Sequence, residues 1–392
     1  MNTSSHPTTA QPAAKSPQHT KLIPSHYLMT CRVDNWIRLL HENHWQIARD
    51  KWGQFFYMFL TALALTPFTL LEKLLYTLPV RGHRLKKDPV FIIGHWRSGT
   101  TYLQNLMSRD PQFAWFDPLN TALFNNSLVL GKICAPIVRH SLRGARPMDN
   151  VKYAMDLPME DVFALNLISP HSIIHLLAFP KNYQFYISKA FIDEQPPLAR
   201  NSWERAMEYV VRKVSYRKKN KQLLMKSPDH TCHIPALRNL FPRAKYINIH
   251  RNPYVTIMST IHMFIKQTEL LRLTDWPEGD LEELLEDAIT DLFARMYQKL
   301  FAMQQNGDFD EGTFVEIAYE ELEADPIRCL SRIYTTLGIP NYGEALPHFQ
   351  AYVDGQKNYV KNKFQISPRL RDKINDKLGF YFEHYGYPMI TE

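Results

Sequence analysis

Four short stretches of this chain carry residue types whose spacing suits a phosphate-bearing ligand and group-transfer chemistry. The first runs His95-Trp96-Arg97-Ser98-Gly99-Thr100-Thr101 and is entered through Gly94. Gly94 and Gly99 stand five apart, the glycine spacing of a phosphate loop. Backbone N–H groups of such a loop, with the N-terminus of the helix that follows, surround one phosphate. The hydroxyls of Ser98, Thr100 and Thr101 add donors. Nucleoside-triphosphate loops place Lys after the second glycine; here that position is Thr100, and the basic residue, Arg97, lies inside the loop. No acidic residue closes a second apolar strand to hold magnesium, which disfavours an ordinary ATPase or GTPase. A nucleotide kinase on the same scaffold stays open as a competing reading. The second stretch is Lys226-Ser227-Pro228. The third is Arg251, with Ser259 eight residues on, about two helical turns. The fourth is the acid pair Glu160-Asp161, which opens an apolar run.

The elements that must position these residues follow from hydrophobic patterning. Residues 89–94 read PVFIIG, a buried parallel-strand signal closed by glycine. YLQNLMS follows with apolar residues at helical spacing, giving strand, loop and helix in the order a phosphate loop requires. QLLM at 222–225 is a second strand ending at Lys226, and AKYINIH at 244–250 a third ending at Arg251. Both cations therefore sit at strand carboxyl ends, the edge where open α/β sheets bind ligands. The fold class expected is α/β, a P-loop-like three-layer α/β/α arrangement with a central parallel sheet and an N-terminal helical extension. An amphipathic helix is expected over 276–300. Helices between 120 and 215 and between 278 and 306 are expected to build the acceptor side.

With RSGTT after an apolar strand, then KSP, then LFPRAKYINIHRNPYVTIMST, the chain resembles the sulfotransferases that use 3′-phosphoadenosine 5′-phosphosulfate (PAPS). It is most similar to the bacterial branch with an N-terminal extension, and more distantly to the tyrosylprotein sulfotransferases. The resemblance runs over about residues 89–388 and is strongest at 89–111 and 222–262. It implies that Arg97, Ser98, Gly99, Thr100 and Thr101 bind the 5′-phosphosulfate and that Arg251 and Ser259 bind the 3′-phosphate. The loop cation is Lys in cytosolic members; Arg97 has the form of the tyrosylprotein branch, in which a catalytic Lys aligns with Lys226. NYVKNKF near the C-terminus resembles the family's closing element, which implies a phosphate contact for Lys361 or Lys363.

Sulfonyl transfer needs cationic stabilisation of the sulfonate and leaving group, for which Arg97 and Lys226 are the right types. It also needs a general base. The tyrosylprotein branch carries a Glu shortly after the first helix; there this chain has only Asp117, and the match fails. Glu160 is the first candidate and Asp161 the second, with helix N-terminal charge complementarity as the structural alternative. His95, His230 and His233 are further candidates. Trp96, Tyr102 and Phe364 are aromatics suited to stacking on an adenine. His230, Cys232 and His233 lack further ligands at useful spacing, so no metal is expected.

Composition sets the bounds. The 392 residues are 45% hydrophobic and 22% charged, which excludes a disordered chain, and the 14 glycines exclude a collagen-like one. Four scattered cysteines without a CxxC pair favour a reducing compartment. The net charge of +7 fits nucleic acid, an anionic membrane or a polyanionic small ligand. The densest basic cluster, Arg212 to Lys221, reads as the solvated end of an amphipathic helix, so no nucleic-acid partner is expected. Residues 1–20 read as a disordered tail, 21–88 as a helical extension and 89–392 as the catalytic domain. Within the extension, 53–71 carries no charge, but threonines, a glutamine and Pro67 dilute it. Its flanks hold six Lys/Arg before residue 53 and five over 72–88, too even to set an orientation. A span, an interfacial helix and core or oligomer packing all remain open. The location expected is cytoplasmic, with the inner face of a membrane open through 53–71. The aromatics and methionines outside the nucleotide motifs suggest a hydrophobic acceptor such as a lipid or sterol alcohol, with a sugar hydroxyl as the alternative. Oligomeric state is not encoded in any motif.

Overall fold

The computed structural model describes residues 26–141, 155–355 and 365–391. Five strands form one parallel sheet: β1 (Val90–Ile93), β2 (Phe113–Ala114), β3 (Gln222–Lys226), β4 (Lys245–His250) and β5 (Phe314–Ala318). Their spatial order is β2-β3-β1-β4-β5. β1 lies at the centre, with Phe91 opposite Met225 of β3 and Tyr246 of β4. All four residues of β1 are fully buried, as a continuous β-branched and aromatic run dictates for a strand covered on both faces. The chain leaves β1 toward β2 on one side and later reaches β4 on the other. The switch point is thus at the carboxyl end of β1, where Gly94 begins the loop.

The helices that matter to the site are α1 (Val33–Glu42), α2 (Trp52–Gly82), α3 (Thr100–Met107), α4 (Pro197–Arg217), α5 (Pro253–Leu271), α6 (Leu281–Gln305) and α7 (Pro368–Tyr385). Asn252 caps α5 by accepting from the N–H groups of Tyr254 and Val255, and Pro253 occupies the first helical position. The expected helix over 276–300 is α6; it starts later, at Leu281, because Asp280 caps it and the Pro277 and Gly279 region does not join. The layered α/β architecture and the N-terminal helices agree with expectation.

Two differences have clear causes. β5, whose buried and half-buried residues alternate, was not among the expected strands, being a short edge strand. The Arg212–Lys221 cluster is not uniformly solvated. Lys213 is 2% exposed and pairs with Glu72 of α2, itself 2% exposed. Burial brings the Lys213 pKa down to about 8 against the attraction of Glu72.

Candidate active site

The loop between β1 and α3 depends on backbone geometry only glycine tolerates at its ends. Gly94 has φ +133°, and a Cβ there would meet the Ile249 carbonyl oxygen at 2.4 Å. Gly99 has φ +108°, and its Cβ would strike the Tyr319 ring at 2.3 Å. The loop is therefore pressed between β4 and the start of the segment after β5. Arg97 also takes a left-handed conformation, φ 68°, which turns its side chain across the sheet edge. Its Nε donates to Ser259 Oγ at 3.0 Å. Arg251 in turn donates to the Arg97 carbonyl at 3.3 Å, and its guanidinium lies over the Tyr319 ring at 4.1 Å. Loop and β4 edge are thus one cluster, in which Arg97 contacts both Ser259 and Arg251.

Ser98 Oγ is buried without a hydrogen-bond partner among the described residues. A buried hydroxyl left in that state carries a desolvation penalty unless a ligand oxygen receives it. This is what a loop built for an anionic group requires. Thr100 is buried at the start of α3, which Gly99 opens.

Lys226, the last residue of β3, and the acid pair adjoin the loop through Thr101. Lys226, 2% exposed, donates to Glu160 Oε1 at 2.5 Å and to Thr101 Oγ1 at 3.2 Å. Glu160 keeps 19% of its side chain exposed. Asp161 turns inward and is fully buried. It lies 2.6 Å from His230 Nε2 and accepts from Ser227 Oγ at 3.5 Å, while the Val162 N–H donates to Ser227 Oγ. Burial alone would lower the His230 pKa, but the charge and hydrogen bond of Asp161 outweigh it and raise it above the ordinary histidine range. Beside it, burial pushes the Asp229 carboxyl up to about 7, against the pull of His230.

The remaining candidates fall elsewhere. His95 and His233 are fully buried, and burial lowers each to about 3, so both are neutral. Trp96 is 4% exposed and packs edge-on against His95 and Phe264. Asp117 caps a short helix and pairs with Lys218. Lys361, Lys363 and Phe364 lie outside the described residues. Among the described residues no group of three or more His, Cys, Asp or Glu side chains is arranged to hold a metal ion.

A model of the sulfotransferase family matches residues 89–344, from the first strand through the phosphate loop and both strand-end cations. The chain belongs to the sulfotransferase family. The omega-hydroxy-beta-dihydromenaquinone-9 sulfotransferases of Mycobacterium bovis and Mycobacterium tuberculosis are each 29% identical to it over 366 residues, covering 92% of this chain and 91% of theirs. Sulfotransferase STF1 from M. tuberculosis shares the fold with a TM-score of 0.61 at 18% identity, over 88% of this chain and 92% of that one. STF9 from Mycobacterium avium does so with a TM-score of 0.60 at 16% identity, over 92% and 98%.

In this sulfotransferase, sequence reasoning missed one residue and one pairing at the site. Tyr319, directly after β5, supports both Gly99 and Arg251; β5 was the only signal that could have found it. The pairing of Asp161 with His230 was also missed, because 69 residues separate them. Each had been singled out as a candidate base, not as the other's partner.

Proposed function

We propose that this enzyme transfers a sulfonate from PAPS to the hydroxyl of an apolar, lipid-like alcohol, with Glu160 as general base. The observation that carries the reading is a set of contacts around one loop: Arg97 meets Ser259 and Arg251, while Lys226 meets both Glu160 and Thr101, which follows the loop. The partnerless Ser98 hydroxyl, Thr100 and Thr101 suit the 5′-phosphosulfate, and Arg251 with Ser259 suits the 3′-phosphate. PAPS, when bound, supplies an activated sulfonate and a phosphate leaving group. Arg97 and Lys226 provide positive charge where negative charge grows. Glu160, the more exposed acid, takes the proton of the acceptor hydroxyl and is oriented by Lys226. Asp161 acts at one remove: through Ser227 and His230 it fixes the turn that presents Lys226. No metal enters this scheme.

Two observations favour a lipid-like acceptor. The two mycobacterial relatives are named for a menaquinone-derived substrate. Phe163, three residues after Glu160, packs with Tyr27 on the same apolar cluster that holds Trp96 and Phe116. PAPS turnover should be followed as PAP release against panels of long-chain alcohols, isoprenoid alcohols, sterols and sugars. Release with apolar alcohols is expected. Release with sugars alone would replace the lipid reading by the carbohydrate one.

A further inference from the structure

Helix α2 is apolar on its outer face as well as its inner one. Its buried face carries Phe55, Met58 and Ala62, and also the helix's only carboxylate, Glu72. Glu72 pairs with Lys213 of α4 and accepts the N–H groups of Leu128 and Val129 at 2.8 and 3.0 Å. Asn126 binds the same face through the Leu65 carbonyl and Thr69 Oγ1. The outward face is apolar: Phe56, Leu60, Leu63 and Leu71 are exposed, and Leu74 and Leu78 are 79% and 80% exposed. Surface helices of globular proteins show the opposite pattern. The helix is long and apolar enough to cross a membrane, yet only 22% of its most apolar window is buried in the protein. A contiguous exposed apolar face of this kind marks an interaction surface.

Charge at its ends selects the occupant. Residues 49–87 hold seven basic and two acidic side chains. Glu72 is sealed against Lys213, and Asp50, with 56% of its side chain exposed, pairs with Arg272. Arg49 stands exposed at one end, and Arg81, Arg84, Lys86 and Lys87 at the other. Trp45 and Trp52, 57% and 43% exposed, flank the first end, where indole rings favour a membrane–water boundary. A second copy of the chain fits poorly, since packing α2 on α2 in either direction brings cations together. A spanning orientation fits poorly too. It would pull Glu72 from Lys213 into hydrocarbon and strand two buried charges. Laid flat, the 31-residue helix is about 46 Å long and offers its whole outer face to one leaflet.

We propose that α2 seats the enzyme on an anionic membrane surface as an in-plane helix, outer face among the acyl chains and basic ends among the headgroups. Asn126, bound to the inner face of α2, follows the segment that begins at Phe116, whose carbonyl accepts the N–H of Met159 next to Glu160. The helix therefore sets the acceptor side against the leaflet from which a lipid alcohol enters. That link to the acceptor, unlike the surface itself, rests on the reading of the site given above.

The test is co-sedimentation of the full chain with vesicles of phosphatidylcholine containing one-third phosphatidylglycerol, beside vesicles of phosphatidylcholine alone. Partition onto the anionic vesicles should be on the order of tenfold or more stronger. L74E/L78E, two changes at exposed positions, should abolish it while PAP binding and thermal unfolding stay at wild-type values. Absence of vesicle binding, or a dimer in vesicle-free solution that L74E/L78E dissociates, would overturn the proposal. So would protection of residues before 52 inside sealed vesicles, which would mean a span. Vesicle binding that persists in a protein unable to bind PAP supports the surface and counts against the site reading alone.

Discussion

The sheet edge that carries the phosphate loop and the flank that carries α2 use charge in opposite ways. At the edge, Arg97 is aimed by the Ser259 hydroxyl, and Arg251 by the Arg97 carbonyl and the Tyr319 ring. These contacts hold both guanidinium groups at the sheet edge beside the loop. On the flank, Lys213 meets Glu72 deep in the protein, and what faces outward is hydrocarbon. One region gathers cations at the sheet edge, where the proposed polyanion would bind; the other hides charge and presents an apolar face. Lys226 stands between the two modes, paired with the partly exposed Glu160 rather than shut away with it.

The comparison predicts that substitutions on the two sides separate activity from stability. The largest effect is expected for Glu160→Gln, which should lower kcat by roughly 10² to 10⁴-fold while PAP affinity and unfolding change little. Steady-state turnover with calorimetric PAP titration reads both; full activity would move the base elsewhere. Lys213→Met should act in the reverse manner. It leaves Glu72 buried and unmatched, costing about 3–5 kcal/mol in denaturant unfolding, with turnover per folded molecule intact. Adding Glu72→Met should restore much of that loss, and no recovery would mean the pair is not coupled. Arg251→Ala should weaken PAP binding by about 10 to 100-fold, as loss of charge-assisted hydrogen bonds implies.

The smallest effect concerns pH. The Asp229 carboxyl titrates at about 7 in the folded protein against 3.8 ordinarily, so over that window the native state holds a proton the unfolded chain has released. Stability from this group falls as pH rises from 3.8 to about 7. His230, raised above its ordinary 6.5, adds stability that is complete below that value and lost as pH rises through its folded pKa. Asp229→Asn should therefore gain in melting temperature relative to the wild type as pH increases toward 7. A difference that does not vary with pH would contradict it.

The donor side was legible in the sequence because its parts are local. A strand, a glycine-bounded loop and a helix follow one another within 89–107, and Arg251 and Ser259 share one strand–helix unit. A loop of this kind binds largely through backbone N–H groups, so spacing carries the information. The flank was less legible. Glu72 and Lys213 lie 141 residues apart, and nothing in either neighbourhood announces a buried ion pair. The direction in which 53–71 faces depends on that pair, which is why span, interface and core all remained open. Asp161 and His230 were visible as separate candidates, but only the packing of the turn after β3 against the acid pair joins them.

The loop at 94–101 and Arg251 together form the proposed two-part anion-binding site. Calorimetric titration of the full chain with PAP, with ATP and magnesium run in parallel, tests it most directly. The account predicts clear one-to-one PAP binding, weakened in Arg251→Ala, and no response to ATP with magnesium. Well-folded protein that ignores PAP, or that binds ATP with magnesium equally well, would contradict it.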